Sequence, residues 1–134
     1  MTALQKTHVV GTSPERIEGR DKVTGAATYV DDIQFGPNLL CGALKRSPIA
    51  HGIIRRIDTS KACALPGVRV VVTGEDFPGY MGLYLKDRRI FALDRVRAVG
   101  EAVAAVAADT KEIAEQAVAL IEVEYEELPG VFDP

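Results

Sequence analysis

A stretch near the N-terminus, RIEGRDKVTGAATYVDDI at residues 16–33, concentrates polar side chains that could bind a ligand or move a proton. The candidates are Arg20, Asp21, Lys22, Thr24, Tyr29, Asp31 and Asp32. The glycines of GRDKVTG could cradle a phosphate, but the sequence predicts no helix opening there and no strand before it, so this role is not expected. Adjacent residues of an extended chain point to opposite faces, so Asp31 and Asp32 are interpreted as a strand-ending turn rather than as a metal or acid–base pair.

Ser47 and His51 are four residues apart and could form a nucleophile–base pair, which would need mutual contact and a third, orienting group. Ser47 precedes Pro48 at the predicted end of a strand, where Ser-Pro is ordinary turn chemistry, so we interpret it as a turn or cap residue. Glu101 follows Gly100 in a predicted tight loop and is the carboxylate that we retain as a possible site residue.

A row of carboxylates lies at Glu122, Glu124, Glu126 and Glu127. The first three fall on the solvent side of a predicted strand, because the segment IEVEYE alternates apolar and acidic residues. We therefore interpret them as solvating side chains rather than as a calcium site.

The chain has two cysteines, Cys41 and Cys63, which form no CxxC pair, and His8 and His51 complete no zinc-ligand spacing. We expect two free thiols, buried or half-buried, in a reducing compartment. The sequence contains no GxxxxGK[ST], GxGxxG, HExxH or GxSxG motif. Residue types and spacing alone thus predict no reaction centre.

The length of 134 residues suits one domain, and the content of 47% hydrophobic and 26% charged residues is ordinary for a globular protein. A net charge of −3 argues against non-specific binding to nucleic acid, which requires a concentrated basic face. We find no signal peptide, and the longest apolar run, 102–108, is too short to span a bilayer. The sequence therefore predicts a cytoplasmic protein that contacts neither membrane nor nucleic acid.

The hydrophobic periodicity predicts the order β, β, short α, β, irregular, β, β, α, β, which is a mixed α/β (α+β) domain with two helices on a small sheet. Strands are expected at 27–30, 39–46, 52–57, 68–73 (mostly buried), 95–98, 102–108 and 121–126, with a brief strand near 90–91 in the irregular region. A short helix is predicted at 61–65, with Asp58 or Thr59 as its cap. A longer helix is predicted in DTKEIAEQAVALI, with Asp109 as its cap and Glu112 completing a capping box.

Three segments in order, PERIEGRDKVTGAATYVDDI, GALKRSPIAHGIIRRIDTSKACALPGVRVVVTGEDFPG and RVRAVGEAVAAVAADTKEIAEQAVALIEVEYEELPGVFDP, together resemble one family. The resemblance is to the large, molybdopterin-binding subunit of molybdenum hydroxylases such as xanthine dehydrogenase, aldehyde oxidase, carbon monoxide dehydrogenase and 4-hydroxybenzoyl-CoA reductase. It covers about Val10 to the end and concerns the N-terminal α/β-hammerhead domain. On this basis residues 1–18 are predicted to be an N-terminal extension and 19–134 the hammerhead domain. Ile49, Ala98 and Ala102 depart mildly from the family pattern.

The resemblance implies a non-catalytic structural domain that packs on the molybdenum-binding domains or subunit of the same enzyme. In the family the catalytic and molybdopterin-binding residues lie downstream of this domain, so no catalytic, cofactor-binding or metal-binding residue is assigned here. The cofactors of the parent oxidoreductase are molybdopterin and, on other domains or subunits, 2Fe-2S clusters and FAD. Self-association through an uncovered apolar face is also expected. The alternative that stays open is an independent binding module, for a small molecule or a protein, on the same fold.

Overall fold

The computed structural model describes residues 11–33, 35–36 and 38–133. Residues 1–10 of the predicted N-terminal extension, which include His8, lie outside this range. The chain divides into two compact units, residues 1–37 and 38–134.

The described residues of the first unit form one short helix and one 3-10 turn. Helix α1 spans Gly19–Thr24 and ends at Gly25, whose φ of 74° is the left-handed conformation that glycine favours at a helix terminus. The expectation that no helix opens in GRDKVTG is therefore wrong. The strand predicted at 27–30 is also wrong: the 3-10 turn covers Val30–Asp32, and the Asp32 carboxylate accepts a hydrogen bond from the Tyr29 N–H at 2.9 Å.

The second unit contains two three-stranded sheets, a hairpin and two helices. Its strands are β1 (Cys41–Arg46), β2 (Gly52–Asp58), β3 (Val68–Thr73), β4 (Tyr80–Met81), β5 (Arg88–Arg89), β6 (Arg95–Val96), β7 (Ala102–Ala108) and β8 (Glu122–Glu127), and its helices are α2 (Ser60–Cys63) and α3 (Lys111–Leu120). The sheets have the orders β1–β7–β3 and β6–β2–β8, and β4 pairs with β5. All pairings among the described strands are antiparallel. The predicted α+β class is confirmed.

Strand β7 lies at the centre of its sheet and is buried on both faces. Ala104 and Val106 point to one side, where they pack with Ala117 of α3 and with Ile121. Val103, one residue out of phase, packs on the other side with Val96. Small residues on β7 and α3 allow this close approach of helix and sheet.

Strand β3 occupies the edge of the first sheet, because β7 is the only described strand that pairs with it. The prediction of a mostly buried strand is therefore wrong; Val70, for example, keeps 47% of its surface exposed. β-branched residues favour extended structure whether or not a second neighbour covers them.

The irregular region between β3 and β6 forms the β4–β5 hairpin, so the brief strand predicted near residues 90–91 is present but lies two residues earlier, at Arg88–Arg89. Phe91 is buried, and its ring lies 6.2 Å from that of Phe77. The strand predicted at 95–98 is shorter than expected, because only Arg95 and Val96 pair with β2.

At the N-termini of the two helices of the second unit, the cap predicted for α3 is wrong, whereas the cap predicted for α2, Asp58 or Thr59, is confirmed. Thr110, not Asp109, caps α3, since its hydroxyl accepts from the Ile113 N–H at 3.3 Å. At α2, Thr59 occupies the N-cap position without a side-chain bond. The Asp58 carboxylate makes that contact instead, accepting from the Ser60 N–H at 3.0 Å.

Candidate functional site

The polar residues of the 16–33 segment bond mainly to their own neighbours. The Thr24 hydroxyl donates to the Arg20 carbonyl at 2.8 Å, and Lys22 pairs with Glu18 at 3.7 Å. Asp32 is engaged by the Tyr29 N–H described above, and α1 has no buried residue. These bonds join residues at most four apart, so they shape the segment itself. They bring no set of ligands together.

Ser47 and His51 do not form a pair. The Ser47 side chain is 2% exposed, and its hydroxyl donates to the Ile49 carbonyl at 2.9 Å and accepts from the Ile49 N–H at 3.2 Å. His51 instead places Nδ1 2.9 Å from the Pro129 carbonyl oxygen. The interpretation of Ser47 as a turn residue is confirmed.

The sequence pattern predicts that Tyr125 lies on the inner face of its strand. It gives no information about the partner of the Tyr125 hydroxyl. Among the described residues, its phenolic oxygen is a buried side-chain atom without a hydrogen-bond partner. The nearby Ser47 hydroxyl is engaged with the Ile49 backbone, to which it donates and from which it accepts. Burial raises the pKa of the Tyr125 phenol, and the Ser47 hydroxyl opposes this shift. Only the strict alternation of β8 signalled that this side chain points inward.

Glu101 closes a loop. Its Oε2 accepts from the Arg97 N–H at 2.6 Å, and its carbonyl accepts from the Ser47 N–H at 2.8 Å. The Gly100 N–H returns a bond to the Ser47 carbonyl at 2.8 Å, with φ of 85° at Gly100. The carboxylate thus holds the turn between β6 and β7, and the backbone of Glu101 joins this turn to Ser47.

The acidic row on β8 pairs with basic residues of β2 and α2. Glu126 accepts from Arg55 Nε at 2.6 Å, Glu124 lies 3.7 Å from Arg56, and Glu122 pairs with Lys61. Glu122 raises the pKa of the Lys61 ammonium through this contact. These ion pairs agree with the interpretation of an exposed, solvated face. Within the described ranges, no group of three or more His, Cys, Asp or Glu residues is arranged to hold a metal ion.

The two thiols are free, but they differ in exposure. Cys41, at the start of β1, is half-buried as expected, whereas Cys63 is exposed, so the expectation is wrong for Cys63. Cys63 ends α2, whose buried face is occupied by Ala62.

A cavity of about 510 Å³ lies beside β6 and was not found from the sequence. Its lining is Ala50, His51, Arg95, Arg97, Ala98, Val99, Gly130, Val131 and Phe132. Arg95 and Arg97 reach it together because residues two apart on an extended chain share a face. The lining offers positive charge and apolar surface but no carboxylate or thiol.

Residues 24–129 match the family model described as the aldehyde oxidase and xanthine dehydrogenase a/b hammerhead domain. The chain therefore belongs to this family of α/β-hammerhead domains. A probable xanthine dehydrogenase component of Bacillus subtilis (strain 168) is 46% identical over 125 residues, covering 90% of this chain and 17% of the relative. The nicotinate dehydrogenase large molybdopterin subunit of Eubacterium barkeri is 36% identical over 126 residues, covering 92% of this chain and 29% of the relative.

Solved structures agree with the sequence matches. CO dehydrogenase from Oligotropha carboxidovorans superposes with a TM-score of 0.85 at 38% identity, over 92% of this chain and 16% of that one. Quinoline 2-oxidoreductase from Pseudomonas putida 86 gives 0.81 at 40% identity, over 89% and 16%. The predicted resemblance to molybdenum hydroxylase large subunits is thereby confirmed, and the chain spans less than a third of the length of each of these relatives. In the described part of the chain, no helix combines the length and apolarity needed to cross a membrane.

Proposed function

We propose that the chain is a non-catalytic structural domain in the large subunit of a molybdopterin-dependent oxidoreductase, where it packs on the molybdenum-binding domains. The observation that carries this proposal is that nearly the whole chain matches only a small part of much larger enzymes, 17% of one relative and 16% of one solved chain. The extent of the hammerhead domain, 19–134, remains a prediction, as does a cytoplasmic location.

The surface supports a packing role. Four large apolar side chains of the second unit, Leu83, Tyr84, Val131 and Phe132, each expose more than four fifths of their area. Exposed apolar groups of this size favour contact with another protein surface, because burying them removes apolar area from water. Self-association of the separate chain is a second consequence of the same surface.

The described residues do not fit a molybdopterin site, because the polar candidates are engaged with their own neighbours. Thr24 and Ser47 bond to nearby backbone, and Glu101 holds the Arg97 N–H. The Arg-lined cavity contains no carboxylate or thiol, and the imidazole of His51 in its lining is engaged with the Pro129 carbonyl. We therefore assign molybdopterin, 2Fe-2S clusters and FAD to other domains or subunits of the parent enzyme, and no catalytic residue to this chain.

The test is to sequence the DNA beyond codon 134 and its neighbouring genes, then to purify the enzyme encoded there. We expect molybdopterin-binding segments in the same frame or an adjacent one. We also expect the molybdenum in the purified enzyme to be bound by those segments. Stoichiometric molybdenum bound by residues 1–134 would overturn the non-catalytic role. A stop codon with no such gene nearby would favour the independent binding module, for which the cavity beside Arg95 and Arg97 is the place to look.

A further inference from the structure

The β4–β5 hairpin and its loop carry an apolar tip that touches little of its own unit. We define this docking arm as residues 80–89. At its tip, Leu83 and Tyr84 are 89% and 92% exposed, and the adjoining Leu85 is also exposed. Three consecutive large apolar residues in open solvent are unfavourable for an isolated surface, so a covering partner is expected.

The docking arm is held in a defined shape. The Arg89 guanidinium lies 4.5 Å from the centre of the Tyr80 ring and donates to the Tyr80 hydroxyl and to the Pro78 carbonyl, each at 3.1 Å. Gly82 has φ of 154°, and a Cβ there would overlap the Leu85 carbonyl oxygen. The tip is therefore folded back tightly in a conformation that requires glycine.

The base of the docking arm is fixed to the core of the second unit. Phe91 is buried and packs against Phe77, the two residues standing on either side of the hairpin. The Ala92 N–H donates to the Ala102 carbonyl at 2.8 Å, which joins the chain after the arm to β7. An ordered base with an uncovered apolar end is suited to insertion into a groove, since little conformational entropy remains to be lost on binding.

The charge of the docking arm indicates the chemistry of its partner. Lys86, Arg88 and Arg89 outweigh Asp87, and the first two are exposed beside the apolar tip. A complementary surface would be an apolar groove rimmed by carboxylates. An apolar tip with basic neighbours could also bind an anionic membrane surface, but the relatives carry this domain inside larger protein chains, which favours a protein partner.

We propose that the docking arm inserts Leu83, Tyr84 and Leu85 into an acid-rimmed apolar groove on the molybdenum-binding part of the same enzyme. This inference rests on the proposed function and names the element that makes the contact. Burial of two or three apolar anchors at the centre of an interface is the arrangement that dominates binding energies.

The test uses the assembled enzyme, in which hydroxyl-radical footprinting measures the solvent access of Met81 and Tyr84. We expect the assembled enzyme to protect both side chains about tenfold relative to unfolded protein. If Tyr84 is fully reactive in an enzyme that does assemble, the proposed contact of the docking arm is overturned, and the proposed function is left intact. Failure of the wild-type chain to assemble with any molybdopterin-binding segment would instead overturn the proposed function.

Variants give an independent measurement. The double variant Leu83→Asp, Tyr84→Asp should lower the yield of assembled enzyme about tenfold or more. The matched control is Val23→Asp, because Val23 is 85% exposed, close to the 89% of Leu83, but lies outside the arm and lines no cavity described above. The control should keep its yield within about twofold, since an exposed side chain outside the interface contributes little. An equal loss from Val23→Asp would show that the docking arm is not the specific anchor.

Two other occupants have distinct outcomes. The first is a membrane. If the enzyme binds phosphatidylserine vesicles, the double variant abolishes this binding, and Tyr84 stays reactive in the enzyme without vesicles, then the arm binds a membrane and the proposal is overturned. The second is another copy of the enzyme. If the double variant halves the mass of the assembly in sedimentation and leaves its subunit composition unchanged, then the arm binds a second copy and the proposal is also overturned.

Discussion

Arg69 in β3 holds Asp109, the residue after β7, through two hydrogen bonds, Nε to Oδ1 at 2.7 Å and Nη2 to Oδ2 at 2.9 Å. Asp109 raises the pKa of the Arg69 guanidinium through this contact. The Asp109 N–H also donates to the Gly67 carbonyl at 2.9 Å. Asp109 thus links the ends of β3 and β7, and Thr110 rather than Asp109 caps α3.

The first prediction separates these two roles. Thr110→Ala should lower the free energy of unfolding by about 1 kcal/mol, because the Ile113 N–H loses its side-chain acceptor. Asp109→Asn should cost less, because its ion pair is exposed to solvent and is screened by salt. Urea unfolding followed by circular dichroism measures both. Since asparagine also caps helices, Asp109→Ala tests the alternative: a larger loss from Asp109→Ala than from Thr110→Ala at high salt would show that Asp109 is the cap.

The choice between Asp109 and Thr110 shows where the sequence pattern stops being informative. Both residues can cap a helix, and the deciding partner, Arg69, is forty positions away in the chain. Local periodicity was sufficient for β7, whose bounds of 102–108 are confirmed, and for the body of α3. It failed for the burial of β3, because burial depends on which strand becomes an edge.

In the candidate site, too, roles set by neighbours in sequence could be predicted, and roles set by distant residues could not. The role of Ser47 was predictable because the residue that determines it, Pro48, is adjacent in sequence. The orphaned hydroxyl of Tyr125 was not predictable, since its lack of a partner depends on contacts between β8 and the turn after β1. The grouping of Arg95 and Arg97 with Phe132 around a cavity likewise requires the folded chain.

The second prediction concerns the acid sensitivity of the turn before α2. The Ser60 hydroxyl, followed by the Ser60 N–H, lowers the pKa of Asp58 below its ordinary value of 3.8. A lowered pKa in the folded state contributes stability above the ordinary value, and this contribution is lost as the pH falls through the lowered pKa. Asp58→Asn should therefore be less stable than wild type at neutral pH, with a difference that shrinks below pH 3.8.

Thermal unfolding between neutral and acidic pH measures this difference. Ser60→Ala is the matched control: it keeps the carboxylate, removes the hydroxyl that donates to it at 2.6 Å, and should reproduce part of the effect. A wild-type-minus-variant difference that stays constant down to the most acidic pH would contradict the role assigned to the Asp58 charge.

The third prediction concerns the unpaired phenol of Tyr125. Tyr125→Phe should leave the free energy of unfolding unchanged or raise it by up to about 1 kcal/mol, because the variant removes a buried hydroxyl that has no partner. Ser47→Ala is the contrasting control and should cost about 1 kcal/mol, since its buried hydroxyl both donates to and accepts from Ile49.

Alkaline pH gives a second measure of the same group. The raised pKa of Tyr125 means that its neutral form is favoured in the folded state, so its contribution is complete below the ordinary value of 10.0 and is lost as the pH rises above it. Tyr125→Phe should lack this alkaline loss. A clear destabilisation by Tyr125→Phe at neutral pH would show that the hydroxyl has a partner in solution.

The last prediction tests the acidic row of β8 as a set of ion pairs. Glu126→Gln should lower the free energy of unfolding by less than about 1 kcal/mol, because both partners of the Arg55–Glu126 pair are about half exposed. The loss should shrink further in high salt, which screens exposed charges. Glu127→Gln is the control, since Glu127 follows the three ion-paired glutamates on the same strand.

Calcium tests the same row of carboxylates. Millimolar calcium should leave the thermal midpoint of wild type unchanged, because Glu122, Glu124 and Glu126 each already face a cation. A saturable rise in that midpoint, abolished by Glu124→Gln or Glu126→Gln, would restore the calcium interpretation.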